Sequence, residues 1–177
     1  MKNLFLLIIA ISSNILFAQP NLSSKVTCSE KEEKIKGNSD PKIIKTCSYL
    51  NYTCISTSYP DYKGRYYTKY NWFKLNNGQL VKINNNELFN EKLNDLVEFI
   101  NQQIKIKFEE LSSDPNNEDC LAGIENLPYY HINNLNIFME NSTFTFAYSL
   151  GITGACSSID EDYVTFTIEY IKSFLKN

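Results

Sequence analysis

Cys156 and His131 are the residues of this chain whose types suit covalent chemistry, a thiol nucleophile beside an imidazole base. His131 is the single histidine, and no residue is spaced to orient it. Asp160, Glu161 and Asp162 supply carboxylates of the kind glycoside cleavage uses. Neighbours in one loop cannot stand on opposite sides of a glycosidic bond, so they read as a solvated acidic loop. A calcium-loop frame fits Asp114, Asn116, Glu118 and Glu125 at positions one, three, five and twelve. Position six needs glycine for its sharp turn and is Asp119; position seven is Cys120. A zinc site lacks its parts, since no Cys-x-x-Cys pair accompanies the lone histidine. The sequence therefore suggests no catalytic residue, no metal ligand and no cofactor.

The five cysteines, Cys28, Cys47, Cys54, Cys120 and Cys156, carry a different chemistry. All follow residues 1–18, MKNLFLLIIAISSNILFA, which have a basic start, an apolar run and a small residue before Gln19. That is the pattern of a secretory signal peptide, and the run is short and polar-interrupted for a membrane span. An exported chain meets an oxidising compartment, so disulfides are expected and Cys156 is a bridge rather than a nucleophile. Cys120 with Cys156 would tie the loop after a long helix to the last strand region. Cys28 with Cys47 or Cys54 would pin the N-terminal arm. An odd count leaves one thiol free or paired between chains.

Cleavage after Ala18 leaves 159 of the 177 residues, enough for one domain that buries about 70% of its unfolded surface. It also removes Lys2, which takes the formal charge from −3 to −4. A mildly acidic chain without a basic run suits neither nucleic acid nor an anionic membrane surface. No later segment is long and apolar enough to cross a bilayer. The chain thus divides into residues 1–18, a polar arm at 19–45 and a domain at 46–177. The arm carries the charge run Glu30–Lys36 and reads as a loosely ordered segment or an edge element.

The elements that must position any site centre on residues 66–111. Asn77-Gly78 separates two β-rich runs, a strong hairpin signal because both residues tolerate positive φ. Leu93, Leu96, Val97, Ile100, Ile104, Phe108 and Leu111 then make one apolar stripe at helical spacing. Asn86 or Asn90 can cap that helix, and the preceding hairpin offers the nearest apolar face for it to cover. One or two strands precede the hairpin between Ile43 and Tyr59, closed by turn residues at Pro60–Gly64. Later, Phe144, Phe146, Tyr148 and Leu150 alternate with Thr143, Thr145, Ala147 and Ser149, a half-buried strand. A short strand at Tyr163–Phe166 and a final helix capped by Thr167 complete the chain, with Ile168, Ile171, Phe174 and Leu175 inward. The fold class is α+β, an antiparallel sheet with one long helix packed across it and a short C-terminal helix.

The strand from Arg65 is aromatic on both faces. Tyr66, Tyr70 and Trp72 share one, and Tyr67, Phe73 and Leu75 the other. One face covers the core, and the other is free to anchor a partner.

The run from Tyr59-Pro60 through Gly64-Arg65-Tyr66-Tyr67-Thr68 and Asn71-Trp72-Phe73-Lys74-Leu75 to Glu87-Leu88-Phe89, with its Asn-led glycine turn, resembles a secreted domain family. Its members include the extracytoplasmic part of the RsiV anti-sigma factor and a domain of the PdaC polysaccharide deacetylase. The stretch from Phe144 through Gly151 and Gly154 to Val164–Phe166 and Ile171–Leu175 resembles that family's last strands and helix, so the likeness spans about residues 46–176. It implies a non-catalytic binding module of the cell envelope, secreted or periplasmic. The implied ligand is a protein such as a lysozyme-like hydrolase, or a cell-wall glycan. Tyr62, Arg65, Tyr66, Tyr70 and Trp72 are the candidate ligand-binding residues, aromatic anchors with one cation. The competing classes are a secreted hydrolase with a site invisible in sequence, and a structural or inhibitor protein paired through its free cysteine.

Overall fold

The computed structural model describes residues 25–36, 40–61 and 65–176. Residues 1–18 and Tyr62 lie outside them. The chain first lays down β1 (Thr27–Glu33), β2 (Lys42–Tyr49), β3 (Tyr52–Pro60), β4 (Tyr66–Asn76) and β5 (Gln79–Ile83). They form one antiparallel sheet in the order β1-β2-β3-β4-β5. Residues Thr27–Glu33 of the polar arm are thus an edge strand, and the division expected at 45/46 falls inside β2. Glu33 pairs with Lys42 at 2.6 Å, and hydrogen bonds from Lys31 and then Lys42 hold its carboxyl down to about 2. The Asn77-Gly78 turn forms as the sequence requires, with φ of 49° and 80° between Asn76 and Gln79.

After β5 the chain does not enter the long helix directly. Asn85–Leu88 make a 3-10 turn, closed by the Glu87 carboxylate accepting from the Asn84 amide at 2.7 Å. Leu88 and Phe89 then drop into the core, and Phe89 bridges to Leu175. The Asn90 side-chain amide donates to the carbonyls of Ser173 and Leu175, while its oxygen accepts from the Lys92 amide. Helix α1 (Leu93–Ser112) starts only after this anchor.

Of the helix stripe, Leu96, Val97, Ile100 and Ile104 are core residues, while Leu93, Phe108 and Leu111 are half-buried. Each core residue contributes about 1.5–3 kcal/mol by leaving water. Its partner differs from the one expected. Phe99 packs on Phe166 and Tyr170, so α1 lies against a second sheet and not along the hairpin, whose β5 is mostly exposed. The Phe89–Leu175 bridge and the Asn90 contacts carry the chain across to that sheet before the helix begins.

The second sheet holds β6 (Asn136–Glu140), β7 (Thr143–Ser149) and β8 (Glu161–Thr167) in sequence order. The architecture is therefore α+β with two antiparallel sheets, of five and three strands, where the sequence suggested one. β7 alternates as expected but is buried on both sides, because it is the central strand and Thr145 and Ala147 are covered too. Helix α2 (Glu118–Leu121) follows α1, and α3 (Ile168–Ile171) follows β8. Thr167 Oγ1 caps α3 by accepting from the Tyr170 amide, and Ile168, Ile171 and Leu175 turn inward.

The two sheets meet at the free edge of β6. The carbonyl of Ile137 accepts from the Trp72 indole N–H at 2.8 Å and faces the Cys54 thiol. Trp72 stacks on Phe144, Tyr70 stacks on Phe138, and Lys45 reaches Glu140. Packing β6 this way covers an edge that would otherwise be open to another chain, with the Ile137 carbonyl satisfied. One continuous core results.

Two disulfides lock the periphery. Cys120–Cys156 joins α2 to the 3-10 turn at Gly154–Ile159, the pairing expected from the sequence. Cys28–Cys47 ties β1 to β2, and Cys54 keeps a free, buried thiol. No described helix is long and apolar enough to cross a membrane.

Candidate functional site

The residues with chemical potential are engaged in structure. Cys156 is bridged to Cys120 and so offers no thiolate to His131. His131 is exposed, opposes Tyr129 edge to face and begins a 3-10 turn at Ile132–Asn134. Asp160 accepts from the Ser149 hydroxyl and the Ile152 amide. Asp162 accepts from the Tyr148 hydroxyl at 3.1 Å and from Lys107. Burial, then the nearby Asp162 charge, pushes the Tyr148 phenol far up. Asp114 caps the 3-10 turn Pro115–Asn117 by accepting from the Asn116 amide, which bends the calcium frame into a helical corner. Among the described residues, no three of His, Cys, Asp and Glu gather where they would hold a metal ion.

The candidate binding residues on β4 do not form one patch. Arg65 is exposed and closes the turn at Asp61: its amide donates to Oδ1 and its guanidinium to Oδ2 of that residue. Tyr66 is 42% exposed and donates to the Pro41 carbonyl. Tyr70 is half-buried on Phe138, and burial pushes its phenol up to about 12. Trp72 is 2% exposed and belongs to the core between the sheets. An indole in that position holds the fold and presents no face to a ligand. Tyr70 and Trp72 do border a shallow polar hollow of about 480 Å³ with Lys82, Asn84, Asn85 and Asn133.

The reason is the pleat. Tyr66, Thr68, Tyr70 and Trp72 point toward β6, so the alternate residues of β4 point away from it. Cross-strand register completes that outer face: Thr57 opposes Lys69, Tyr59 opposes Tyr67, Ile55 opposes Asn71 and Thr53 opposes Phe73. Ile44 and Thr46 extend it across β2. Tyr59 and Tyr67 stack at 5.3 Å with Lys69 Nζ 5.9 Å from both ring centroids. Tyr67 is 51% exposed. Apart from Thr53, these side chains are half-buried or exposed, and none joins the core cluster. The sequence placed Tyr67 and Phe73 together on one face; which face was outward is decided by β6, about 65 residues downstream, through the Trp72–Ile137 hydrogen bond.

A second concavity was not visible in the sequence. A groove of about 450 Å³ runs between α1 and the loop at 125–129, floored by Ile104, Phe108, Leu127 and Pro128 and rimmed by Lys105, Glu109, Glu125 and Tyr129. Asn101 holds that loop on the helix: its amide donates to the Tyr130 carbonyl and its oxygen accepts from the Tyr130 amide. Its described lining has no Ser, Thr, Cys or His; its ionisable groups are Lys105, Glu109, Glu125 and Tyr129. Comparison with protein-family models, with curated proteins and with solved structures finds no match to this chain.

Proposed function

We propose that the chain is an exported, non-catalytic binding module of the cell envelope that docks a protein on the outer face of its five-stranded sheet. The observation that carries this reading is the solvent-facing Tyr59–Tyr67 stack with Lys69 beside it, on a face that supplies nothing to the core. Rigid aromatics beside a cation are the side chains that anchor protein interfaces. The size is suitable. Strands about 4.8 Å apart, with about 3.3 Å per residue, make a face on the order of 600 Å². Stable complexes take roughly 800 Å² from each partner and transient ones up to about 600 Å², so this face suits a transient complex. None of the described grooves is built from this face, which favours a protein over a glycan chain that needs a groove to bury its rings.

The resemblance to the RsiV-type secreted domain supports the same class and suggests a lysozyme-like hydrolase as the partner. Two disulfides fit an oxidising compartment. Among the earlier candidates, Arg65 lies at the rim of this face, just before β4, while Tyr66 is on the opposite side of the strand. The test is capture of lysozyme by the immobilised chain beside co-sedimentation of the chain with insoluble peptidoglycan. Saturable lysozyme capture is expected. Co-sedimentation alone would replace the protein partner with a glycan, and turnover of peptidoglycan by the purified chain would overturn the non-catalytic reading.

A further inference from the structure

Cys28, Cys47 and Cys54 stand in a row across three strands. Cys28 opposes Cys47 in the β1–β2 register, and Cys47 opposes Cys54 in the β2–β3 register. Directly opposed residues of antiparallel strands have Cα atoms about 4.5–5.5 Å apart, inside the range a disulfide spans. Cys47 is therefore placed to bond to either neighbour. It is bonded to Cys28, and Cys47 and Cys54 line the same small cavity of about 130 Å³. The two ends of the row differ in environment: Cys28 is exposed on an edge strand, and Cys54 is buried at the sheet junction.

We propose that this row is a thiol relay, in which the buried Cys54 displaces Cys28 from Cys47 and so presents a reactive thiol at Cys28 for covalent attachment to an external disulfide. The step balances within the chain. Cys54 loses its proton to solvent, its sulfur attacks Cys47 Sγ, the Cys47–Cys54 bond forms and the Cys28–Cys47 bond breaks. Cys28 leaves as the thiolate and takes up a proton. No oxidant or reductant is consumed. The attached class is a low-molecular-weight disulfide or the disulfide of a second protein, reduced as Cys28 is oxidised.

The resting state is the Cys28–Cys47 bond, favoured by its loop and kept by slow exchange. It closes a loop of sequence separation 19, against 7 for the alternative between residues 47 and 54, and the wider loop restrains the unfolded chain more. Burial also pushes the Cys54 thiol up to about 12, so little thiolate exists at neutral pH. Lys45 from β2, Tyr70 from β4 and Glu140 from β6 face the same cavity, with Lys45 and Glu140 paired to each other. The relay therefore runs slowly at neutral pH and faster as the solution turns alkaline.

The experiment incubates the intact oxidised protein at about pH 8.5 without reductant in the presence of iodoacetamide, then maps label and disulfides by mass spectrometry. Label on Cys28 with a new Cys47–Cys54 bond and an intact Cys120–Cys156 bond is the expected result. Label on Cys54 with Cys28–Cys47 unchanged, or no label on Cys28 after a day, overturns the relay. Cys54→Ala and Cys54→Ser should each abolish Cys28 labelling while keeping the native circular dichroism. Persistent labelling of Cys28 in either folded variant also overturns it.

Discussion

Trp72 and Tyr67 are five residues apart on one strand and have opposite consequences for the molecule. Trp72 is buried, donates to Ile137 and stacks on Phe144. Trp72→Ala should cost about 3–5 kcal/mol, a large share of the 5–15 kcal/mol that holds a domain together. Urea denaturation followed by circular dichroism checks this. Tyr67→Ala removes an exposed ring and should change stability by less than about 1 kcal/mol in the same assay. Ser142 is a third instructive residue. It takes φ 80° in the β6–β7 turn beside Asn141 at φ 46°. A side chain in that left-handed region is strained, so Ser142→Gly should leave the protein equally stable or more stable by up to about 1 kcal/mol. A fall in the thermal midpoint would contradict that reading.

Titration adds a residue-scale expectation. In the unfolded chain the Cys54 thiol ionises near 9.0, whereas burial delays this to about 12 in the fold. Tyr70 moves in the same direction, from 10.0 to about 12. Both groups are neutral in either state below about pH 9, so their contribution is fully kept there. Between roughly pH 9 and 12 the unfolded chain loses protons that the fold retains, and stability falls as pH rises. Urea midpoints at pH 8 and pH 11 should differ accordingly, and Cys54→Ala should make that difference smaller.

At the scale of elements, helix α1 and the Cys120–Cys156 bridge hold the three-stranded half. Ile100 is fully buried, and Ile100→Ala should cost about 2–5 kcal/mol. The disulfide closes a separation of 36 residues, so Cys120→Ala with Cys156→Ala should cost about 2–4 kcal/mol in thermal or urea unfolding. These elements also mark what the sequence could disclose. Local signals were sufficient for the Asn77-Gly78 turn, the α1 stripe, the Thr167 cap and the alternation along β7, because each depends on residues a few positions apart. Of the two caps the sequence offered, Asn90 stands at the helix start, its oxygen accepting from the Lys92 amide, but its side-chain amide also bonds to Ser173 and Leu175, more than 80 residues away. The helix partner was misassigned, since nearness in sequence favoured the hairpin while Phe89–Leu175 directs the chain elsewhere. Splitting one sheet into two likewise depends on how the β6 edge is covered, which no local pattern encodes.

At the scale of the whole molecule, the core and the exposed aromatic face are set by one long-range decision. Two aromatic faces on β4 were legible in the sequence. The docking of β6 against Trp72 turns one inward and leaves Tyr59, Tyr67 and Lys69 on the other. The groove along α1 offers a competing place for a ligand, with Tyr129 at its rim 52% exposed. The measurement that separates them is the affinity of lysozyme for the parent chain, for Tyr67→Ala and for Tyr129→Ala, each confirmed folded by circular dichroism. Loss of an aromatic anchor costs about 1.4–2 kcal/mol or more, so Tyr67→Ala should weaken binding roughly tenfold to thirtyfold while Tyr129→Ala leaves it unchanged. Equal affinity for the parent and Tyr67→Ala, or a loss seen only in Tyr129→Ala, would contradict the outer face as the docking surface.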